Sequence, residues 1–253
     1  MTLRNYQKLL VGTLAIVFVT WMTSPAYATP TEHITNGDFE TGSLADWTIV
    51  TTFSGDWVIN DGTLDPQGPG ISIAPISDNF DAISIQDATS SAMLSKPFTV
   101  PTGIISANVS WNDRIRNFAD IFEDPTQEVR VEIRNSNGTE VLATIWSTDA
   151  GDPLNQEGPN SRSFDITSTL HGLEGQEVRL CFSQETGIFF LNYSVDNVSL
   201  TTETALVAGK LLPLDSSALF LAGINSMMVW MIPIVAGLAG AGAYMVKFRF
   251  EKD

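Results

Sequence analysis

The sequence predicts an all-β sandwich held between two apolar ends. Three observations predict it. Residues 127–135 alternate strictly, with Val129, Val131 and Ile133 in one phase and Glu128, Arg130, Glu132 and Arg134 in the other. That period of two is the pattern of a half-buried antiparallel strand with one solvated side. Asn135-Ser136-Asn137-Gly138 follows, and residues 140–147 return as a second strand. Asn-Gly between two such runs is the strongest short-range hairpin signal. Between residues 29 and 202 short alternating runs recur with turn residues between them, and no long run has helical periodicity.

The chain opens with Arg4 and Lys8, an apolar run over 9–21, and Ala26-Tyr27-Ala28 after Pro25. A basic start, an apolar run too short for a comfortable span and a small-x-small site make a secretory signal, expected over 1–28. The ectodomain is expected over 29–202. Its strand candidates after the signal are 55–60, 82–86, 92–98 and 104–111, then the 127–135 and 140–147 hairpin, then 162–166, 178–183 and 189–200. Long loops are expected at 61–81 and 150–161. In the last strand Leu191, Tyr193 and Val195 share one phase, and Val198 and Leu200 the other. A one-residue slip at Asp196-Asn197 keeps both sets inward, which predicts a β-bulge.

A stalk is expected over 203–217 and an apolar segment over 218–246. Residues 227–246 carry no charge, and as a helix they span about 30 Å, the thickness of a hydrocarbon core. Lys247, Arg249 and Lys252 lie in the tail 247–253. Basic residues there put that flank in the cytoplasm and the ectodomain outside. The expected location is therefore the cell surface, with a C-terminal transmembrane helix as membrane anchor.

Charge narrows the function classes. Residues 29–209 hold 26 acidic and 7 basic residues, a net −19. So acidic a region repels phosphate backbones and argues against nucleic acid as a partner. Two histidines and one cysteine leave little for a transition-metal or thiol site. No serine sits in a nucleophile elbow, and there is no phosphate loop or dinucleotide fingerprint. Carboxylate pairs are plentiful, but none stands in a recognisable glycosidase motif.

The ectodomain begins Asn36-Gly37-Asp38-Phe39-Glu40-Thr41-Gly42 with Asp46-Trp47 after it, and closes with Tyr193-Ser194-Val195-Asp196-Asn197-Val198. This pair of ends resembles carbohydrate-binding modules of the galactose-binding-like group, the CenC-type families in particular. The resemblance implies a jelly-roll β-sandwich and a glycan as partner. It also implies a structural calcium where the first and last strands meet, with Glu40 and Asp196 matching the acidic ligands. Asp38 is a nearby carboxylate with no match of its own. Leu212-Pro213-Leu214-Asp215-Ser216, the apolar helix and the basic tail together resemble the sorting and anchoring segments of archaeal and bacterial envelope proteins. The five-residue motif departs from the sortase pattern at its last two positions.

Sugar sites pair an aromatic face with polar side chains that reach the hydroxyls. The densest such cluster is Trp111, Asn112, Asp113, Arg114 and Arg116, with Phe118 and Phe122 in the following loop. Trp111 is also in phase with Ala107 and Val109, the reading of a core residue, and both arginines have acids nearby to pair with. Trp47 and Trp146 read as core. The leading expectation is a surface-anchored, non-catalytic glycan-binding module. A structural or adhesive envelope protein that binds protein partners is the alternative, and a secreted glycoside hydrolase is third.

Overall fold

The computed structural model describes residues 29–66, 72–86 and 89–205. The expected signal peptide, apolar C-terminal segment and basic tail lie outside the described residues, as does the expected stalk beyond Ala205. Among the described residues no helix is long and apolar enough to cross a membrane.

Two antiparallel sheets face each other. The strands are β1 (Thr31–Glu32), β2 (Thr48–Thr52), β3 (Asp56–Asn60), β4 (Asp81–Ile85), β5 (Ser90–Thr99), β6 (Ile104–Asn117), β7 (Gln127–Asn135), β8 (Val141–Ser147), β9 (Asn155–Asp165), β10 (Glu177–Thr186) and β11 (Leu191–Thr204), with a five-residue helix α1 (Thr167–His171) before β10. One sheet runs β3-β4-β11-β6-β9, with β1 also against β11, and the other runs β2-β5-β10-β7-β8. Between them lie Phe39, Trp57, Trp111, Leu180, Phe182 and Tyr193, all at most 2% exposed. Each fully buried side chain of this size contributes about 2–3 kcal/mol of hydrophobic stabilisation.

The opening motif makes local sense. Asn36 adopts a φ of 54°, and its side-chain amide donates to the carbonyls of Ser43 and Ala45 at 2.8 and 3.2 Å. Trp47 Nε1 donates back to the Asn36 carbonyl at 2.9 Å. Gly37 lies where a Cβ would come within 2.0 Å of the Val198 carbonyl oxygen, so only glycine fits. Val198 N–H donates to the Gly37 carbonyl at 2.9 Å. The motif thus clamps the start of the domain onto the last strand. At that clamp the expected bulge is present: Asp196 pairs with Asn112 and Ser199 with Ser110, leaving one extra residue on β11. Tyr193, Val195, Val198 and Leu200 all stay inward.

Three expectations are corrected. The loop expected over 150–161 is half strand, because β9 starts at Asn155 and pairs with a β6 that runs on to Asn117. β2 was absent from the strand candidates. Both β2 and β9 are sheet edges, and every residue of β2 is exposed, so no buried phase shows in its sequence. Finally, Glu128 and Glu132 belong to the phase expected to be solvated, yet each is 2% exposed. The guanidiniums of Arg130 and Arg134 pair with them along the strand, and the arginine stems shield the carboxylates.

Candidate functional site

Strand alternation divides the expected sugar-binding cluster. Trp111 is 2% exposed, stacks on Phe164 at 5.5 Å between centroids and meets Phe182 edge-on at 5.7 Å. Its Nε1 donates to Asp113 Oδ2 at 3.0 Å. Asp113 is fully buried and takes a two-pronged ion pair from Arg162, with Nε at 2.5 Å and Nη2 at 3.1 Å. Phe122 is 1% exposed. All three are buried in the sandwich, and neither ring offers a face to a ligand. Asn112, Arg114 and Arg116 share the opposite face of β6. Arg114 donates to the carbonyls of Ala74 and Glu157 at 2.8 and 2.9 Å. Arg116 pairs with Glu157 at 3.3 Å, and Asn112 accepts from Ser161 at 2.9 Å. Phe118 is half-buried in the loop after β6.

The carboxylates expected to hold calcium are likewise occupied. Glu40 Oε1 accepts from Asn79 N and Phe80 N at 2.9 Å, and its Oε2 accepts from Asn79 Nδ2 at 2.8 Å. The Asn79 amide is the main cause that holds the Glu40 carboxyl below its usual range. Asp196 Oδ2 accepts from Ser77 Oγ at 2.5 Å and Oδ1 from Asn197 N at 2.7 Å, and burial pushes its carboxyl up. Asp38 instead opens onto a separate cleft of about 310 Å³ beside Gly37 and Val198. Among the described residues no three His, Cys, Asp or Glu side chains converge to hold a metal ion. Calcium needs six to eight oxygens. In this arrangement Glu40 and Asp196 make a hydrogen-bonded latch of the 77–80 segment.

A different site forms at one end of the sandwich. The β2–β3 turn, the start of β5, the β6–β7 loop and the β10–β11 turn meet there. Phe53 stands at the tip of the first with a φ of 55°, and at 90% exposure it is the most exposed large apolar side chain described. It borders a cavity of about 210 Å³ lined by Thr52, Ser90, Ser91, Glu185 and Thr186. Ser90 is 4% exposed, and its Oγ has no hydrogen-bond partner among the described residues. Behind Thr186, whose Oγ1 accepts from Gln184 Nε2 at 2.6 Å, Gln184 Oε1 and Gln86 Nε2 are also buried without partners. Each such group costs about 1–3 kcal/mol when left unsatisfied. A ligand or water that reaches them recovers part of that cost.

Two buried amides build the rim. Asn117 donates to the Ile121 carbonyl at 2.9 Å and accepts from Ala119 N and Gln127 Nε2 at 3.0 and 2.9 Å. Gln127 in turn accepts from Ile188 N at 3.0 Å and donates to the Phe189 carbonyl at 2.8 Å. A Cβ at Gly187 would lie 2.8 Å from the Thr126 carbonyl oxygen, so the two loops close together only with glycine there. Ile121, Ile188 and Phe189 remain exposed on this rim.

Glu185 ties the cavity to a charge ladder on the outer face of the β5-β10-β7 sheet. Arg130 pairs with Glu128, with Glu132 at 3.1 Å and with Glu185 at 3.6 Å, and Arg134 pairs with Glu132 at 2.7 Å. Burial pushes the Glu128 carboxyl up to about 7 against the pull of Arg130, and the neighbouring Asp124 and Glu185 carboxylates add to the rise. Burial also raises Glu185. The sequence signal for this site was slight: one aromatic, Phe53, in the turn-like Thr52-Phe53-Ser54-Gly55.

No protein-family model matches the chain, and no curated protein matches it. The chain is similar to several solved structures. TmCBM61, solved in complex with β-1,4-galactotriose, has 16% identity and a TM-score of 0.42, covering 67% of this chain and 97% of that one. The K3 cleaved adhesin domain of Lys-gingipain from Porphyromonas gingivalis has 14% identity and a TM-score of 0.44, covering 68% and 99%. The CBM22-1 xylan-binding domain of Paenibacillus barcinonensis Xyn10C has 13% identity and a TM-score of 0.39, covering 72% and 100%.

Proposed function

We propose that this chain is a surface-displayed, non-catalytic binding module that holds a glycan at the Phe53 end of a jelly-roll sandwich. One observation carries the reading. A fully presented aromatic ring borders a cavity whose other lining residues are serines, threonines, Pro125, Gly187 and one carboxylate, Glu185. A pyranose ring lays its C–H face on an aromatic and offers hydroxyls around its edge, which is the complement of that lining. The chain changes sheet at every step from β1 to β3, from β4 to β7 and from β8 to β11, which supports the jelly-roll reading.

The test is a glycan-array screen followed by Phe53→Ala. The ring is exposed, so the substitution leaves the melting temperature within about 2 °C while weakening binding by ~10-fold or more, the worth of one stacking contact. Undiminished binding by the variant would discard Phe53 as the platform. The adhesive alternative draws on Ile121, Ile188 and Phe189, which expose apolar surface on the same rim. An array without hits, from a folded protein, moves the weight to that reading. Turnover of a bound glycan, abolished by one carboxylate substitution, would instead revive the hydrolase.

Calcium is a separate proposal with a separate test. To bind it, Glu40 and Asp196 must exchange their present donors for the ion. A specific site stabilises the fold by mass action, so millimolar calcium would raise the melting temperature and EDTA would lower it. The hydrogen-bonded latch predicts the same melting temperature in both.

A further inference from the structure

We propose that Asn137 is an N-glycosylation site, whose side-chain amide takes a covalent glycan once the sandwich is outside the membrane. The inference rests on the proposed export and is independent of the Phe53 cavity. Asn-x-Ser/Thr with x other than proline occurs at four positions, Asn108, Asn137, Asn192 and Asn197. In an exported protein such a triplet marks an acceptor on a surface loop. The fold separates the four. Asn192 is 2% exposed, so its amide is closed to a bulky donor. Asn108 lies inside β6, paired with Thr201 of β11 and with Asp165 of β9, and its Oδ1 accepts from Ser163 Oγ at 3.2 Å. Asn197 is exposed, but its Nδ2 donates at 2.8 Å to Ser77 Oγ, the hydroxyl that also serves Asp196 in the latch. Of the four, only Asn137 stands in a turn, the one between β7 and β8, and both Asn137 and Thr139 are exposed there.

The turn also holds the triplet in a reactive arrangement. Arg179 Nε donates to the Ser136 carbonyl at 2.8 Å and Arg134 Nη1 to the Gly138 carbonyl at 3.2 Å, so the backbone on both sides of Asn137 is tied to the sheet. Asn137 Oδ1 accepts from Thr139 N at 3.1 Å and from Thr139 Oγ1 at 2.6 Å. Two donors on the amide oxygen favour the imidate-like form and ease loss of a proton from nitrogen. Asn137 Nδ2 has no hydrogen-bond partner among the described residues, since both of these bonds use Oδ1. The co-reactant is a lipid-linked sugar phosphate, and a separate membrane transferase joins the two. Nδ2 attacks the anomeric carbon, the N–C bond forms and the bond from that carbon to the phosphate oxygen breaks. The phosphate leaves on its lipid with the electron pair, and Nδ2 gives up one proton to water. β7 runs from Gln127 beside the cavity to Asn135 at the turn, roughly 30 Å of strand. A glycan on Asn137 therefore leaves the Phe53 end clear. It stands instead beside the edge strand β8, where Val141 and Leu142 are exposed, and bulk there opposes edge-to-edge pairing.

The experiment is mass spectrometry of the full chain purified from the cells that produce it, with protease treatment of intact cells as the check on export. Trypsin cuts after Arg134 and Arg162, so Asn137 is the one candidate in the 135–162 peptide, while Asn192 and Asn197 share 180–210 and Asn108 falls in neither. The expected result is a 135–162 peptide carrying a series of sugar-sized mass increments, with 180–210 unmodified. Asn137→Gln and Thr139→Ala each remove the increments, and Thr139→Ser, which keeps the hydroxyl, retains them. All three positions lie on an exposed turn, so the melting temperatures stay within about 4 °C of the wild type, and a lost increment then reports on the acceptor and not on folding. An exported chain whose 135–162 peptide is bare overturns the inference, as does a glycan on Asn108, Asn192 or Asn197 in preference to Asn137. Increments that survive Thr139→Ala overturn it as well, because the hydroxyl then has no part. A chain that stays protected inside intact cells overturns the export reading and this inference with it, and leaves the Phe53 site to the array screen.

Discussion

Glu128 carries a pH lever. Its carboxyl is pushed up to about 7 from 4.5, by burial first. Between those values the folded chain binds more protons at this position than the unfolded chain does. The free energy of unfolding therefore falls as pH rises through that window and levels off above it. In Glu128→Gln the contribution is gone. Urea melts of both proteins from pH ~4.5 to ~7.5 should show the wild type losing roughly 1–3 kcal/mol relative to the variant. A constant difference across that range would mean that Arg130 compensates the charge fully. Asp113 is the contrasting case among buried acids, with Arg162, Asn160 and Trp111 all donating to its carboxylate. A buried charge so surrounded is a structural group, which is why the strand reads as core there despite its polar letters.

Between elements, the contact that closes the fold is the one between the opening motif and the bulge of β11. Gly37 and Val198 touch backbone to backbone, and the Glu32 carboxylate reaches the same strand, accepting from Leu200 N at 2.9 Å. Gly37→Ala drives a Cβ into a carbonyl oxygen, and backbone cannot step aside as a side-chain tip does. The expected cost is about 2–4 kcal/mol. Gly151→Ala, where nothing lies within 4 Å, serves as the control and should stay within about 0.5 kcal/mol. Similar melts for the two variants would show that the first and last strands part without penalty. The edge strands β2 and β9 show the other side of element-scale reasoning. β2 is exposed throughout and the first half of β9 largely so, so no buried phase marks them. Pairing with β5 and β6 is what makes them strands.

For the whole molecule, the acidic middle and the apolar ends set the expected placement. A net −19 over 29–209 keeps the sandwich soluble and repels polyanions. Residues 227–246 and the basic tail are proposed to hold it at a membrane with the sandwich outside. Protease applied to intact cells should then remove epitopes within 29–202 and spare an epitope at the C-terminus. A protected sandwich with a digested tail would reverse the orientation.

The sequence by itself determined the all-β class, the central hairpin and the bulge at Asp196-Asn197, because a pleated strand buries alternate residues and a slip in that pattern has to appear in the letters. It also marked Gly37 and Trp47 as parts of one opening motif. Only the tertiary structure decided what the polar side chains of the 111–116 stretch meet, since their partners Arg162, Glu157 and Ala74 come from distant parts of the chain. It decided too that Glu128 and Glu132 are buried, because their cover comes from the arginines beside them. And it brought Phe53, Ser90 and Glu185 to the lining of one cavity from the β2–β3 turn, β5 and β10, elements linked by strand pairing across the sheet and by nothing local in the chain.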